Sequence, residues 1–232
     1  MRKAKVGKLL AFVAGLGIAI SSQAQPVDGP EVIFRNGSDP ILGSFAPTNR
    51  SLEYGDEIAF DGTNRVLTSL KMEYFSSEAS GQMVIRIRQQ DGPQVTGAGA
   101  ATFQPGTIAY ESSPFNILSN FNTVVIDQIA DANGNGITLG SRVTITVELR
   151  NTAQDQQVGP LMRNPPIIGE SADDIWIANG AGATATDWAL ASVPNSVANF
   201  AFEVVAVPEP STVILSILGG VALFGARRFK RA

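Results

Sequence analysis

Between residues 25 and 206 the chain is a succession of short runs in which apolar and polar residues alternate, the period-2 signature of half-buried strands. The clearest is Arg142–Arg150, where Val143, Ile145, Val147 and Leu149 fall on one face and Thr144, Thr146 and Glu148 on the other. Leu67–Phe75 sets Leu70, Met72 and Tyr74 against Ser69, Lys71 and Glu73, and Gln82–Gln89 sets Met83, Ile85 and Ile87 against Gln82, Arg86 and Arg88. Thr123–Ile129, Asp174–Ala178 and Asn199–Val205 repeat the pattern, and Val32–Phe34, Glu57–Phe60 and Thr107–Glu111 are shorter versions. The junctions carry turn chemistry: Asp61-Gly62-Thr63-Asn64, Asp91-Gly92-Pro93, Gly97-Ala98-Gly99, Asn133-Gly134-Asn135-Gly136 and Arg163-Asn164-Pro165-Pro166. Sustained helical periodicity and internal repeats are absent from this stretch. About nine to eleven short strands are therefore predicted, and the economical arrangement is an all-β, antiparallel two-sheet sandwich, jelly-roll-like, over residues 25–206.

The two ends break the pattern. A basic segment, Met1–Lys8, precedes an apolar run, Leu9–Ile20, and then Ser21-Ser22-Gln23-Ala24 places small residues where a signal peptidase would cut after Ala24. The alternative, an uncleaved anchor, would have to cross the bilayer with 12 apolar residues, where a spanning helix needs about 20. At the other end Val207-Pro208-Glu209-Pro210-Ser211-Thr212 leads into an apolar run from Val213 to Phe224, followed by Arg227, Arg228, Lys230 and Arg231. Pro208 and Pro210 end any upstream helix, and Ser211 or Thr212 can cap a new one. The helix from Thr212 to Ala226 would be about 22 Å long at ~1.5 Å per residue, short for a ~30 Å hydrocarbon core, but able to span with local thinning and snorkelling cations. The basic cluster would stay cytoplasmic and the body would face outward. A buried C-terminal helix of the globular body is the other reading of this segment.

The order Pro208-Glu209-Pro210, short apolar helix, Arg-rich tail resembles the PEP-CTERM protein-sorting signal of Gram-negative bacteria, over Val207–Ala232. The resemblance implies that the chain is a substrate of an exosortase, an integral-membrane protease or transpeptidase that recognises the tail, and that it is anchored transiently and then passed to the cell surface or an exopolysaccharide matrix. Pro208, Glu209 and Pro210 would be the recognition residues; none is catalytic. The body is similar to the β-sandwich domain common among PEP-CTERM proteins. It shares Met72-Glu73-Tyr74-Phe75, Pro165–Ser171, Asp173-Asp174-Ile175-Trp176 and Asp187-Trp188 with that pattern.

Composition narrows the chemistry. Of 232 residues none is His or Cys, so disulfides, thiolate nucleophiles, His-based triads and His-ligated zinc are excluded. The two ends hold eight cations and no acid, which leaves 17 − 8 = 9 cations against 21 acids in residues 25–210, a net −12. Such a body repels phosphates, and nucleic acid is not an expected partner.

Three constellations in the body carry candidate chemistry. Asp131, Asn133, Asn135 and the carbonyl of Ile137 have the spacing of the first half of a calcium loop. Position 12, however, is Arg142 rather than a bidentate Glu, and the competing reading is a Gly/Asn turn between two strands. Trp176 and Trp188, with Asp173, Asp174 and Asp187 nearby, could stack on and hydrogen-bond a sugar; the competing reading is aromatic packing in the core. Paired carboxylates could hydrolyse a glycoside at about 5–10 Å separation, but nothing in the sequence selects a pair. Gly97-Ala98-Gly99 lacks the Lys-Ser/Thr of a phosphate loop, and Arg86 and Arg88 read as a solvated strand face. The expected role is an exported, non-catalytic surface or matrix protein without an obligatory cofactor. A carbohydrate-binding module for exopolysaccharide is the first alternative and a carboxylate-only glycan hydrolase the second.

Overall fold

The computed structural model describes residues 29–37, 40–49, 52–95, 102–131, 133–178, 187–192 and 199–209. The expected signal peptide with its cleavage at Ala24, the C-terminal helix, Pro210 and the basic residues Arg227, Arg228, Lys230 and Arg231 lie outside the described residues.

The described chain is all-β. Its strands are β1 (Glu31–Arg35), β2 (Gly43–Ser44), β3 (Glu53–Ala59), β4 (Val66–Ser76), β5 (Gln82–Gln89), β6 (Gln94–Val95), β7 (Thr102–Phe103), β8 (Ile108–Glu111) and β9 (Phe115–Asn116). They continue with β10 (Asn120–Asp127), β11 (Ile137–Thr138), β12 (Arg142–Arg150), β13 (Val158–Met162), β14 (Glu170–Ser171), β15 (Asp174–Ala178), β16 (Trp188–Ser192) and β17 (Phe202–Val207). Two antiparallel sheets hold nearly all of them. The first runs β1-β17-β4-β13-β2, with β10 and β11 also on β4; the second runs β16-β15-β3-β12-β5-β8, with β14 on β3 and β9 on β5. The eleven-residue β4 organises the first sheet. β17 pairs with its residues 66–72 and β10 with 69–76, so the two must lie on opposite sides of it.

The alternation read in the sequence is realised on the inner faces. Leu70, Met72 and Tyr74 of β4 and Phe202 and Val204 of β17 share one buried cluster with Ile58 of β3, Met83, Ile85 and Ile87 of β5, and Val143, Ile145 and Val147 of β12. Each such side chain contributes about 1.5–3 kcal/mol when fully buried, so this shared layer is the main cohesion between the sheets.

The outer face of the second sheet departs from expectation. Arg86 and Arg88, read as solvated, are 0% and 2% exposed, and Thr144 and Thr146 are both at 0%. Alternation places residues on a face but does not say whether that face is open. Here it is roofed: Val95 of the β6–β7 ribbon packs, like Leu190, against the buried cluster of Trp176, Ala178 and Trp188, and the carbonyl of Gly106, just past that ribbon, accepts a hydrogen bond from Arg88 Nη1 at 3.1 Å.

Candidate functional site

The outward residues of β3, β5, β12, β15 and β16 form a buried polar layer under that roof. Register alone assembles it. Glu53 lies opposite Glu148 and Gly55 opposite Thr146 across β3 and β12, while Arg86 lies opposite Thr146 and Arg88 opposite Thr144 across β12 and β5. Trp176 of β15 sits opposite Gly55, and a Cβ at Gly55 would come within 2.7 Å of the methyl groups of both Thr144 and Thr146.

Glu53, 0% exposed, is the hub. Its Oε1 accepts from Arg88 Nε at 2.8 Å and from the Thr146 hydroxyl. Its Oε2 accepts from Arg86 Nη1 and Arg88 Nη2, each at 3.0 Å. Arg86 extends the network through Nε to Glu111 at 2.5 Å and through Nη2 to Glu148 at 2.7 Å, and Glu148 in turn accepts Arg150 Nε and Nη2 at 2.8 and 2.9 Å. In this network three guanidiniums meet three carboxylates, matching in formal charge, and the planar Arg forks suit bidentate contact. Burial pushes the Glu148 carboxyl up, but Arg150 and Arg86 outweigh it and hold the group below its ordinary value. Burial likewise works against the charge on Arg86, and Glu111, Glu53 and Glu148 more than offset it. The Arg88 guanidinium stacks under the Trp188 ring, 5.1 Å from its centroid.

A second carboxylate group lies along the same face. Glu57 accepts Arg142 Nη1 at 2.7 Å and Trp176 Nε1 at 3.2 Å. Continuing the β15–β3 register sets Asp174 opposite Glu57. Burial first, then the charges of Glu57 and Asp173, raise the Asp174 carboxyl, and its Oδ1 has no hydrogen-bond partner among the described residues. Beside Arg142 an open groove of about 380 Å³ is lined by Gln89, Gln90, Asp91, Phe103, Gly140 and Ser141. Phe103 is 42% exposed there.

One acid belongs to the inner face. Asp56 is wholly buried, and its carboxyl is pushed well above the ordinary carboxylate range by that burial, which outweighs its hydrogen bond with the Ser171 hydroxyl and that from the Phe200 N–H. The Phe200 amide donates to Oδ2 at 2.7 Å. Ser171 Oγ lies 2.7 Å from Asp56 Oδ1 and 3.0 Å from Asn199 Oδ1. A hydroxyl has a single proton; with Asp56 protonated, the acid donates to Ser171 and Ser171 donates to Asn199. Asn199 Nδ2 completes the cluster by donating to Asn164 at 2.9 Å and to Asp173 at 3.1 Å.

The constellations singled out in the sequence are placed as follows. Trp176 and Trp188 do come together, but at 0% and 3% exposure neither offers a ring face to a sugar; the stacking platform is corrected to a packed pair, because the β6–β7 ribbon covers it. Of the neighbouring acids, Asp173 and Asp187 are exposed and Asp174 is half-buried. Asp131 is engaged in its own turn: Oδ1 accepts the N–H groups of Asn133 at 2.9 Å and Asn135 at 2.8 Å, and Oδ2 accepts Asn135 Nδ2 at 3.3 Å. Those hydrogen bonds, that from the Asn135 N–H first, hold its carboxyl below the ordinary value. Gly134 takes φ 79°, Ile137 turns its side chain inward within β11, and Arg142, at the twelfth position, binds Glu57. Among the described residues no group of three or more acids is placed to hold a metal ion. Pro208, half-buried, and Glu209, exposed, follow directly on β17. The sequence did not single out Glu53 or Asp56 and pointed to a solvated face for Arg86 and Arg88; alternation carries no signal that this face is covered.

Comparison with family models, with curated proteins and with solved structures gives no match.

Proposed function

We propose that this chain is an exported, non-catalytic β-sandwich of the cell surface or extracellular matrix, delivered by an exosortase that reads its C-terminal segment. The observation that carries the reading is the ordered tail: Pro208-Glu209-Pro210, an apolar run from Val213 to Phe224, and the cluster Arg227, Arg228, Lys230 and Arg231. Two antiparallel sheets enclosing one apolar layer support the sandwich; a jelly-roll path for the chain is part of the same proposal. The buried carboxylates Glu53, Glu57 and Glu148 are each committed to an arginine, which suits a scaffold role. The intact mass of the protein from membrane, medium and matrix fractions tests the reading. Loss of both ends, with a new C-terminus near Pro208–Ser211, is expected. A tail retained in the membrane fraction overturns processing, and a full-length cytoplasmic chain overturns export.

A second reading is favoured by the groove beside Arg142. Phe103 offers an open ring there among the amides of Gln89 and Gln90, the Asp91 carboxylate and the Ser141 hydroxyl, the mixture that a polysaccharide strand requires. Retention on exopolysaccharide that is lost in Phe103→Ala supports this reading; equal retention of both proteins sinks it.

A further inference from the structure

The first sheet has a long unguarded edge. β10 pairs with β4 through eight consecutive steps without a bulge, from Asn120 opposite Ser76 to Asp127 opposite Ser69. No other described strand pairs with it. Natural edges are blunted by charge, proline or bulges, and β1 and β8 here use them. β1 carries Glu31 and Arg35 and shifts register between Val32 and Phe34; β8 ends on Glu111, opposite Arg86, and its pairing with β5 shifts between Ile87 and Arg88. From Asn120 to Ile126 β10 has no charge and no proline. Phe121 and Val125 stand on its outer face at 65% and 55% exposure. Positive φ at Asn120 (70°) and Gln128 (55°) bounds the strand, leaving a regular stretch between.

We propose that β10 pairs with β10 of a second copy, antiparallel about a twofold axis at Thr123, so that the first sheets of two molecules become one. The register follows from parity. Paired residues must share a face, and a one-residue slip would set outer against inner side chains. Among the remaining registers, centring on Val124 would put Asp127 against Phe121, and centring on Asn122 would put Phe121 against Thr123. Centring on Thr123 puts Phe121 against Val125 twice, Asn122 against Val124 twice, and Thr123 against itself.

The self-complementary register makes a second copy the occupant, since the strand matches Phe121 with Val125 and Thr123 with itself. Two bodies of net −12 repel over most of their surface, and Asn120–Ile126 is the uncharged strip where they can meet. In this register the two Glu73 side chains stay three strand spacings apart, about 14 Å, and each is held by its own Arg163 at 2.8 Å. Lys71, beside Val125 on β4, comes two spacings, about 10 Å of backbone, from the second copy's Phe121, within reach of its ring face for a side chain of that length. A seven-residue ladder is only about 23 Å long, which places the pairing among small, reversible interfaces and makes it depend on local concentration.

The absence of native cysteine makes the test clean. Thr123→Cys in the full-length chain is expected to form a disulfide-linked dimer under mild oxidation, because residues facing each other across an antiparallel pair are within disulfide reach. Asp155→Cys, at an exposed loop, is the control for random collision. Adding Phe121→Lys and Val125→Lys to Thr123→Cys sets like charges opposite each other and is expected to slow cross-linking by about tenfold or more. Val125 is exposed and Phe121 gives up only its ring contact with Phe75 at the sheet surface, 5.1 Å between centroids, so the fold is expected to survive, and circular dichroism checks this. Cross-linking of Thr123→Cys no faster than of Asp155→Cys overturns the proposal, as does an unchanged rate in the double-lysine background.

Discussion

Glu53 and Arg88 meet in a bidentate pair, 2.8 Å at Nε and 3.0 Å at Nη2, with both side chains at or below 2% exposure. A buried pair of this kind contributes less through its own attraction than it costs when one half is removed. Glu53→Ala leaves Arg86 and Arg88 facing each other under the roof and is expected to lower unfolding free energy by about 3–5 kcal/mol, read as a fall in the urea midpoint. Replacing Glu53, Arg86 and Arg88 together by apolar residues of similar size is expected to recover most of that loss.

Asp56 gives a pH dependence of defined sign. Its folded carboxyl titrates well above the ordinary range because it is buried, so the folded state keeps a proton that the unfolded state releases first. Stability is greatest below the ordinary carboxylate range and declines as pH rises from there through the raised folded value. Asp56→Asn preserves an acceptor for the Phe200 amide and removes the titration. The thermal midpoint of the variant is expected to gain on the parent as pH rises toward neutrality. A constant difference across that window would refute the assignment. Asp174, raised for the same leading reason, gives a slope of the same sign in both proteins, so the Asp56 contribution is read in the difference between them.

Burial of the two indoles has an optical consequence. Trp176 and Trp188 are expected to emit at the blue end of the tryptophan range and to resist acrylamide until the protein unfolds. Trp188→Ala removes the ring stacked on Arg88 and is expected to cost about 3 kcal/mol or more, as large aromatic truncations do.

Asp131 organises a turn with both carboxylate oxygens. Asp131→Ala is expected to lower the thermal midpoint modestly, and by the same amount in calcium as in chelator. A midpoint that rises with calcium only in the parent would instead establish the ion as a ligand.

How far these features could be read in advance depends on the kind of information alternation carries. β5, β12 and β15 occupy the spans read from the sequence, Gln82–Gln89, Arg142–Arg150 and Asp174–Ala178, because their inner residues alternate without interruption. β10 begins three residues earlier than its polarity suggests and stops at Asp127, since Asn120 and Gln128 take left-handed backbone. β13 was invisible: Val158-Gly159-Pro160 reads as a turn. In the fold Gly159 is needed because a Cβ would overlap the Phe45 carbonyl oxygen, and the Pro160 carbonyl accepts the Phe45 amide at 2.8 Å. The buried layer around Glu53 was illegible for a different reason. Its roof comes from residues remote in the chain, and a period of two reports the existence of a second face but not what lies over it.

β1 and β17 run side by side in opposite directions, Glu31 against Ala206 and Arg35 against Glu203. Tension applied between Glu31 and Val207 would therefore load the rungs singly, peeling β1 away like a zipper rather than shearing the whole ladder at once. If the body is held by its C-terminal end, pulling at this first strand meets little mechanical resistance. Drag on the remaining surface instead enters through β4, where β17 is bonded along six residues and the strands must yield together.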